Sequence, residues 1–153
     1  MNLRFLKLFP DQVARYWNEL GPMIEMSLPP TTSTRAESRM TNVLQALLSG
    51  RLEMFQYYDQ KSDDDNSVEI LGFTIIAMVD NIDFSSKDML IYSVFAYQHL
   101  TKELIFEAFQ LIVRYAKSVG CTAVIAYTML PNLVKYIKSL GGQTEYTFLR
   151  LEV

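Results

Sequence analysis

Apolar and polar residues alternate from Leu3 to Phe9, the period-two pattern of a strand with one covered face. Pro10 and Asp11 end it and open a helix, in which Val13, Tyr16, Trp17, Leu20 and Ile24 recur at helical spacing. Gly21-Pro22 is expected to kink or break that helix, because Pro22 has no amide to donate. Pro29-Pro30 and the Thr/Ser run after it form a loop. Thr34-Arg35-Ala36-Glu37 has the form of a capping box and predicts a helix start at Thr34. Met40, Val43, Leu44, Leu47 and Leu48 make the buried stripe of that helix, and Gly50 is its stop.

Three strands follow, predicted from Leu52 to Tyr58, from Ile70 to Ile82 and from Met89 to Tyr97, with polar turns between them. The middle one is apolar almost throughout, so it is expected to be covered on both faces of an antiparallel meander. The period then changes. Leu104, Ile105, Ala108, Phe109, Ile112, Tyr115, Ala116 and Val119 mark a helix with Thr101 as its N-cap and Gly120 at its end. Thr122 to Tyr127 is a short strand. A strand, a helix and a strand joined by tight loops imply a parallel pair and a right-handed crossover. Pro131 opens a last helix carried by Leu133, Val134, Ile137 and Leu140, Gly141-Gly142 stops it, and Thr144 to Val153 is expected to be a final strand.

The expected order is therefore β-α-α-β-β-β-α-β-α-β, a mixed α/β (α+β) sheet in one domain spanning residues 1–153. Net charge is −3 and no basic cluster stands out, which argues against nucleic acid and against an anionic membrane as partners. No apolar run approaches the length needed to span a bilayer, and residues 1–9 lack a signal peptide's apolar core and cleavage site, so a cytoplasmic location is expected. Cys121 is the only cysteine, between a helix and an apolar strand, and reads as a small buried hydrophobe rather than a nucleophile. His99 is the only histidine, and no His/Cys/carboxylate cluster suggests a metal; Asp63-Asp64-Asp65 reads as a solvated loop.

The element order, with its parallel pair late in the chain, resembles the GNAT superfamily of N-acetyltransferases across nearly the whole sequence. The best local match is Asn132-Leu133-Val134-Lys135-Tyr136-Ile137-Lys138-Ser139-Leu140-Gly141, which is similar to the family's penultimate helix. Its shortened tail also resembles divergent GNAT-like proteins of tailed phages, for which host cytoplasm or virion would be the location. The resemblance implies an acyl-CoA site between splayed parallel strands. There the pyrophosphate rests on amides at the following helix start, where the dipole and free N–H groups favour an anion. It places Phe95, Tyr97, Gln98, His99, Thr101, Lys102 and Asn132 at that site and makes Tyr136 the candidate acid for the leaving thiolate.

Two departures bear on activity. The family's loop reads Gln/Arg-x-x-Gly-x-Gly/Ala, and its glycines let the backbone approach the phosphates. The corresponding stretch here, from Tyr97 to Ile105, has no glycine, and Glu103 and Ile105 stand at the two glycine positions. Glu103 also adds negative charge to the first turn, although His99 and Lys102 supply positive charge nearby. The usual acid position, four residues before Gly141, is Ile137, with Tyr136 about 100° away around the helix. Asp80, Asp83 and Asp88 fall at turns, leaving no evident general base. Tyr57, Tyr58, Tyr92, Phe95 and Tyr97 read as packing, and Arg35, Arg39 and Arg51 as a solvated face.

The leading expectation is a catalytically degenerate GNAT-like binding or assembly protein, without cofactor, whose partner is another protein or a second copy of itself. The alternative is a divergent acyl-CoA-dependent N-acyltransferase of unknown acceptor, using acetyl-CoA.

Overall fold

The computed structural model describes residues 2–32, 38–60 and 67–153. The elements are β1 (Leu3–Leu8), α1 (Pro10–Arg15), α2 (Trp17–Met26), α3 (Arg39–Leu48), β2 (Glu53–Gln60), β3 (Val68–Asp80), β4 (Lys87–Ala96), α4 (Lys102–Ser118), β5 (Ala123–Ala126) and α5 (Pro131–Ser139). The five strands form one sheet in chain order, β1-β2-β3-β4-β5. The first four are antiparallel neighbours, and β4 pairs with β5 in parallel, from Asp88 opposite Ala123 to Ile91 opposite Ala126. The parallel pair joined through α4 is therefore as expected.

The sheet is covered on both faces, as the long apolar β3 requires. Leu71 to Ile76 of β3 is buried without interruption, with Leu71 and Ile76 in one core and Phe73 and Ile75 in the other. On one face Leu71 joins Phe55, Tyr57, Ile91, Leu104 and Ile112, the last two from α4. On the other, Phe73 and Ile75 meet Val13, Leu20, Ile24, Val43 and Leu47 from the first three helices.

Two expectations are corrected. The helical break falls at Tyr16, which has φ −102° and ψ 15°, and not at Gly21-Pro22. The amides of Glu19 and Leu20 both bond to the Tyr16 carbonyl, so α2 starts afresh there, which lets Val13 from α1 and Leu20 and Ile24 from α2 all reach the core. Pro22 is carried inside α2. α3 starts after Ser38; the Thr34–Glu37 box and the Asp63–Asp65 run lie outside the described residues. Finally, residues 143–153 form no strand. Alternation alone cannot make one, because a strand also needs a neighbour for its backbone groups.

Gly72 deserves its glycine on grounds of space. A Cβ there would lie 2.3 Å from the Phe95 carbonyl oxygen on β4. The Tyr97 amide bonds to the Leu71 carbonyl at 2.9 Å, so this close approach holds the end of β4 just before the loop into α4.

Candidate functional site

Beyond Ile91 and Ala126 the parallel pairing stops although β4 continues to Ala96. A cavity of about 690 Å³ lies there. Its walls are the second half of β4, the first three turns of α4, residues 126–130 with Leu133, and residues 26–30 at the end of α2. The far wall is anchored to β4 by a 2.5 Å contact between the Ser27 and Ser93 hydroxyls. The volume falls in the range of sites that hold drug-sized ligands.

The lining is apolar in the main, and among the described residues it includes no Lys, Arg, Asp or Glu. Its titratable members are Tyr57, Tyr92, His99 and Tyr127. Tyr57 is buried and its hydroxyl donates to the Ala108 carbonyl at 3.5 Å. Burial holds its pKa well above the usual tyrosine value, against a smaller lowering by a hydrogen bond with Thr74, so it keeps its proton at neutral pH.

The residues expected at an acyl-CoA site divide in two. Phe95, Gln98 and His99 line the cavity, and so do Leu104 and Ile105 of the first turn of α4. Phe95 stacks on Phe73 with ring centroids 5.6 Å apart. Tyr97, Thr101, Lys102 and Asn132 do not line it. Tyr97 packs edge-on against Phe95, and partial burial raises its pKa. Thr101 is the α4 N-cap, as expected, and its hydroxyl accepts from the Leu104 amide at 3.3 Å. That hydroxyl thus occupies one of the amides an anion would use. Lys102 lies over the Phe106 ring, 5.4 Å from its centre.

Tyr136 also stands outside the cavity. Its ring stacks on Phe106 at 4.0 Å, and its hydroxyl accepts from Gln110 Nε2 at 2.5 Å. Glu103 is exposed in the first turn of α4. Cys121 is only partly buried, but burial raises its thiol pKa; Asp88 adds to the rise and Lys87 opposes it. An activated nucleophile needs the opposite shift. Asp83 accepts from the amide and hydroxyl of Ser85, which lowers its pKa and confirms its place in a turn. No group of metal-ligating side chains occurs among the described residues, and no helix there is long and apolar enough to cross a membrane.

Sequence reasoning missed the wall at residues 26–30, Tyr92 on β4 and Tyr127 just past β5. Pro29-Pro30 signals a loop, but nothing in its pattern tells that the loop closes over β4.

The five-strand mixed sheet with its one parallel pair is the GNAT fold. No protein-family model matches the chain, and no curated protein does. Solved structures do. An aminoglycoside acetyltransferase from an uncultured soil metagenomic sample is 15% identical, with 100% of this chain and 99% of that one covered and a TM-score of 0.66. Glucosamine-6-phosphate N-acetyltransferase from Arabidopsis thaliana is 15% identical, with 99% of each chain covered and a TM-score of 0.61. A predicted acetyltransferase from Clostridium acetobutylicum, solved with acetyl-CoA, is 11% identical, covering 99% of this chain and 96% of that one, with a TM-score of 0.62. At these identities the likeness shows the fold.

Proposed function

We propose that this chain is a GNAT-fold binding protein that holds an apolar ligand, or an extended apolar segment of another protein, in the cleft between β4 and β5, and that it does not carry out acetyl transfer. The observation that carries this reading is the lining. The cleft has volume for a ligand, yet its described walls include no Lys or Arg, and Leu104 and Ile105 occupy the first turn of α4. A pyrophosphate needs converging amides or cations to offset its lost hydration, whereas an apolar group gains from leaving water at about 25 cal/mol per Å². Tyr136, the candidate acid, is engaged with Gln110 and Phe106 of α4. A gene position among virion or host-takeover genes would support the assembly form of this reading.

A second reading is a divergent acyl-CoA-dependent N-acyltransferase. It is favoured by the hydroxyl and imidazole groups of Tyr92, His99 and Tyr127 on the cleft wall, and by the fold it shares with an aminoglycoside acetyltransferase and glucosamine-6-phosphate N-acetyltransferase. Release of free thiol from acetyl-CoA in the presence of small amines would support it.

The cleft is tested with an environment-sensitive apolar dye. Binding should saturate at one dye per chain, and Ala108→Trp, which fills the α4 wall, should weaken it about tenfold, a change of about 1.4 kcal/mol. Far-UV circular dichroism shows whether the variant keeps its fold. Unchanged dye affinity in a folded Ala108→Trp variant would place the dye elsewhere and count against the cleft.

A further inference from the structure

Taking the cleft between β4 and β5 as a binding site, as proposed above, we infer that its ligand is a free straight-chain carboxylic acid of about 10 to 14 carbons, with the carboxylate at Gln98 and His99 and the chain under α4. The cavity has a closed end and an open end. At the closed end α4 lines it with Leu104, Ala108 and Ile112, which share one helix face, and β1, β2 and β3 line it with Leu3, Tyr57 and Leu71. All but Ala108 of these six are buried, and they belong to one core cluster, which Ala108 packs against. From Leu104 to Ile112 the helix runs about 12 Å, at about 1.5 Å per residue. A zigzag chain with C–C bonds of about 1.5 Å needs about ten carbons to cover that length.

Among those side chains only Tyr57 has a polar atom, and its hydroxyl already donates to the Ala108 carbonyl at 3.5 Å. A polypeptide pushed into this end would bury amides with no group to meet them. An alkyl chain brings no polar atom, and each carbon it buries tightens binding about fourfold.

The open end differs. Gln98, His99, Thr128 and Met129 are exposed members of the lining. The Thr128 hydroxyl accepts from the Leu130 amide at 3.1 Å. The side chains of Gln98 and His99 have no hydrogen bond or ion pair among the described residues, so their N–H groups are free for a ligand. A carboxylate only accepts, and it is a small head that meets both donors. No Asp or Glu of the described lining opposes its charge, and His99 is the one side chain there able to carry positive charge. A pyrophosphate asks for more donors than these two residues supply.

Displacement of the apolar dye by straight-chain acids from octanoate to hexadecanoate, each below its micelle concentration, tests this. On the natural chain affinity should rise about fourfold per carbon to about tetradecanoate and then level off at the closed end. Methyl dodecanoate should bind about tenfold more weakly than dodecanoate, because its head lacks the charge. In the Gln98→Ala, His99→Ala double variant acid and ester should bind alike; both residues are exposed, so the core is untouched. Acid and ester of equal affinity on the natural chain overturn the proposal, as does a gap that persists in the folded double variant. Affinity that climbs without a plateau, or that Ala108→Trp leaves unchanged, overturns it too. Should the double variant unfold, the length series and the acid–ester gap on the natural chain decide. If the dye saturates at one per chain and responds to Ala108→Trp while no acid displaces it, the cleft stands as a binding site and this ligand fails. If the dye does not bind, both readings fail.

Discussion

A chain carrying Glu103→Gly and Ile105→Gly should bind acetyl-CoA about a hundredfold more tightly than the natural chain, a gain of about 2.7 kcal/mol. The two side chains act differently. Ile105 lines the cleft, where its bulk takes the space the backbone would need to meet a phosphate. Glu103 is exposed in the first turn of α4 and sets a negative charge against an anionic ligand at the positive end of the helix. Removing both lets the amides of that turn approach, and each charge-assisted hydrogen bond gained contributes about 1.5–3 kcal/mol. Each glycine costs the helix up to about 1 kcal/mol, so calorimetry must be paired with a thermal melt. An unchanged affinity in a folded double variant would mean that side-chain bulk and charge are not what keep the cofactor out.

Gly72→Ala should lower stability by about 2 kcal/mol. The added methyl would stand 2.3 Å from the Phe95 carbonyl oxygen, and because that atom is backbone the β3–β4 ladder itself must move. Overpacking of this kind costs about 1–3 kcal/mol, while the gain from a less free unfolded chain is under about 1 kcal/mol. The strain falls on Phe95 and Ala96, both on the cleft wall, so the apolar dye should bind more weakly as well. A urea midpoint equal to that of the natural chain would show that β4 yields at no cost.

The sheet was largely legible in the residues. Every element from β1 to α5 has a periodic apolar stripe or run, and the Thr101 cap and Gly120 stop bracket α4 closely. Patterns near element ends read less well. Gly21-Pro22 carries the stronger local signal for a break, but packing against the sheet decides the matter and moves it to Tyr16. Residues 143–153 alternate like a strand, yet pairing is a property of two segments and only one is visible in a local pattern. The cleft was legible as a place, through Phe95, Gln98 and His99, but not as a surface. Tyr136 and Leu133 lie on one short helix, and only its docking shows Leu133 on the cleft wall and Tyr136 against Phe106.

Calorimetric titration of the natural chain with acetyl-CoA and with CoA, at physiological salt, tests the central claim most directly. A first turn filled by Leu104 and Ile105, a cap hydroxyl already on the Leu104 amide and a described cleft lining without Lys or Arg all act against the pyrophosphate. Losing two charge-assisted hydrogen bonds costs about 3–6 kcal/mol, enough to move a micromolar dissociation constant to about 1 mM. The account predicts no measurable heat of binding below that range for either ligand. A dissociation constant in the low micromolar range, with acetyl-CoA tighter than CoA, would contradict it and make the acyltransferase reading the better one.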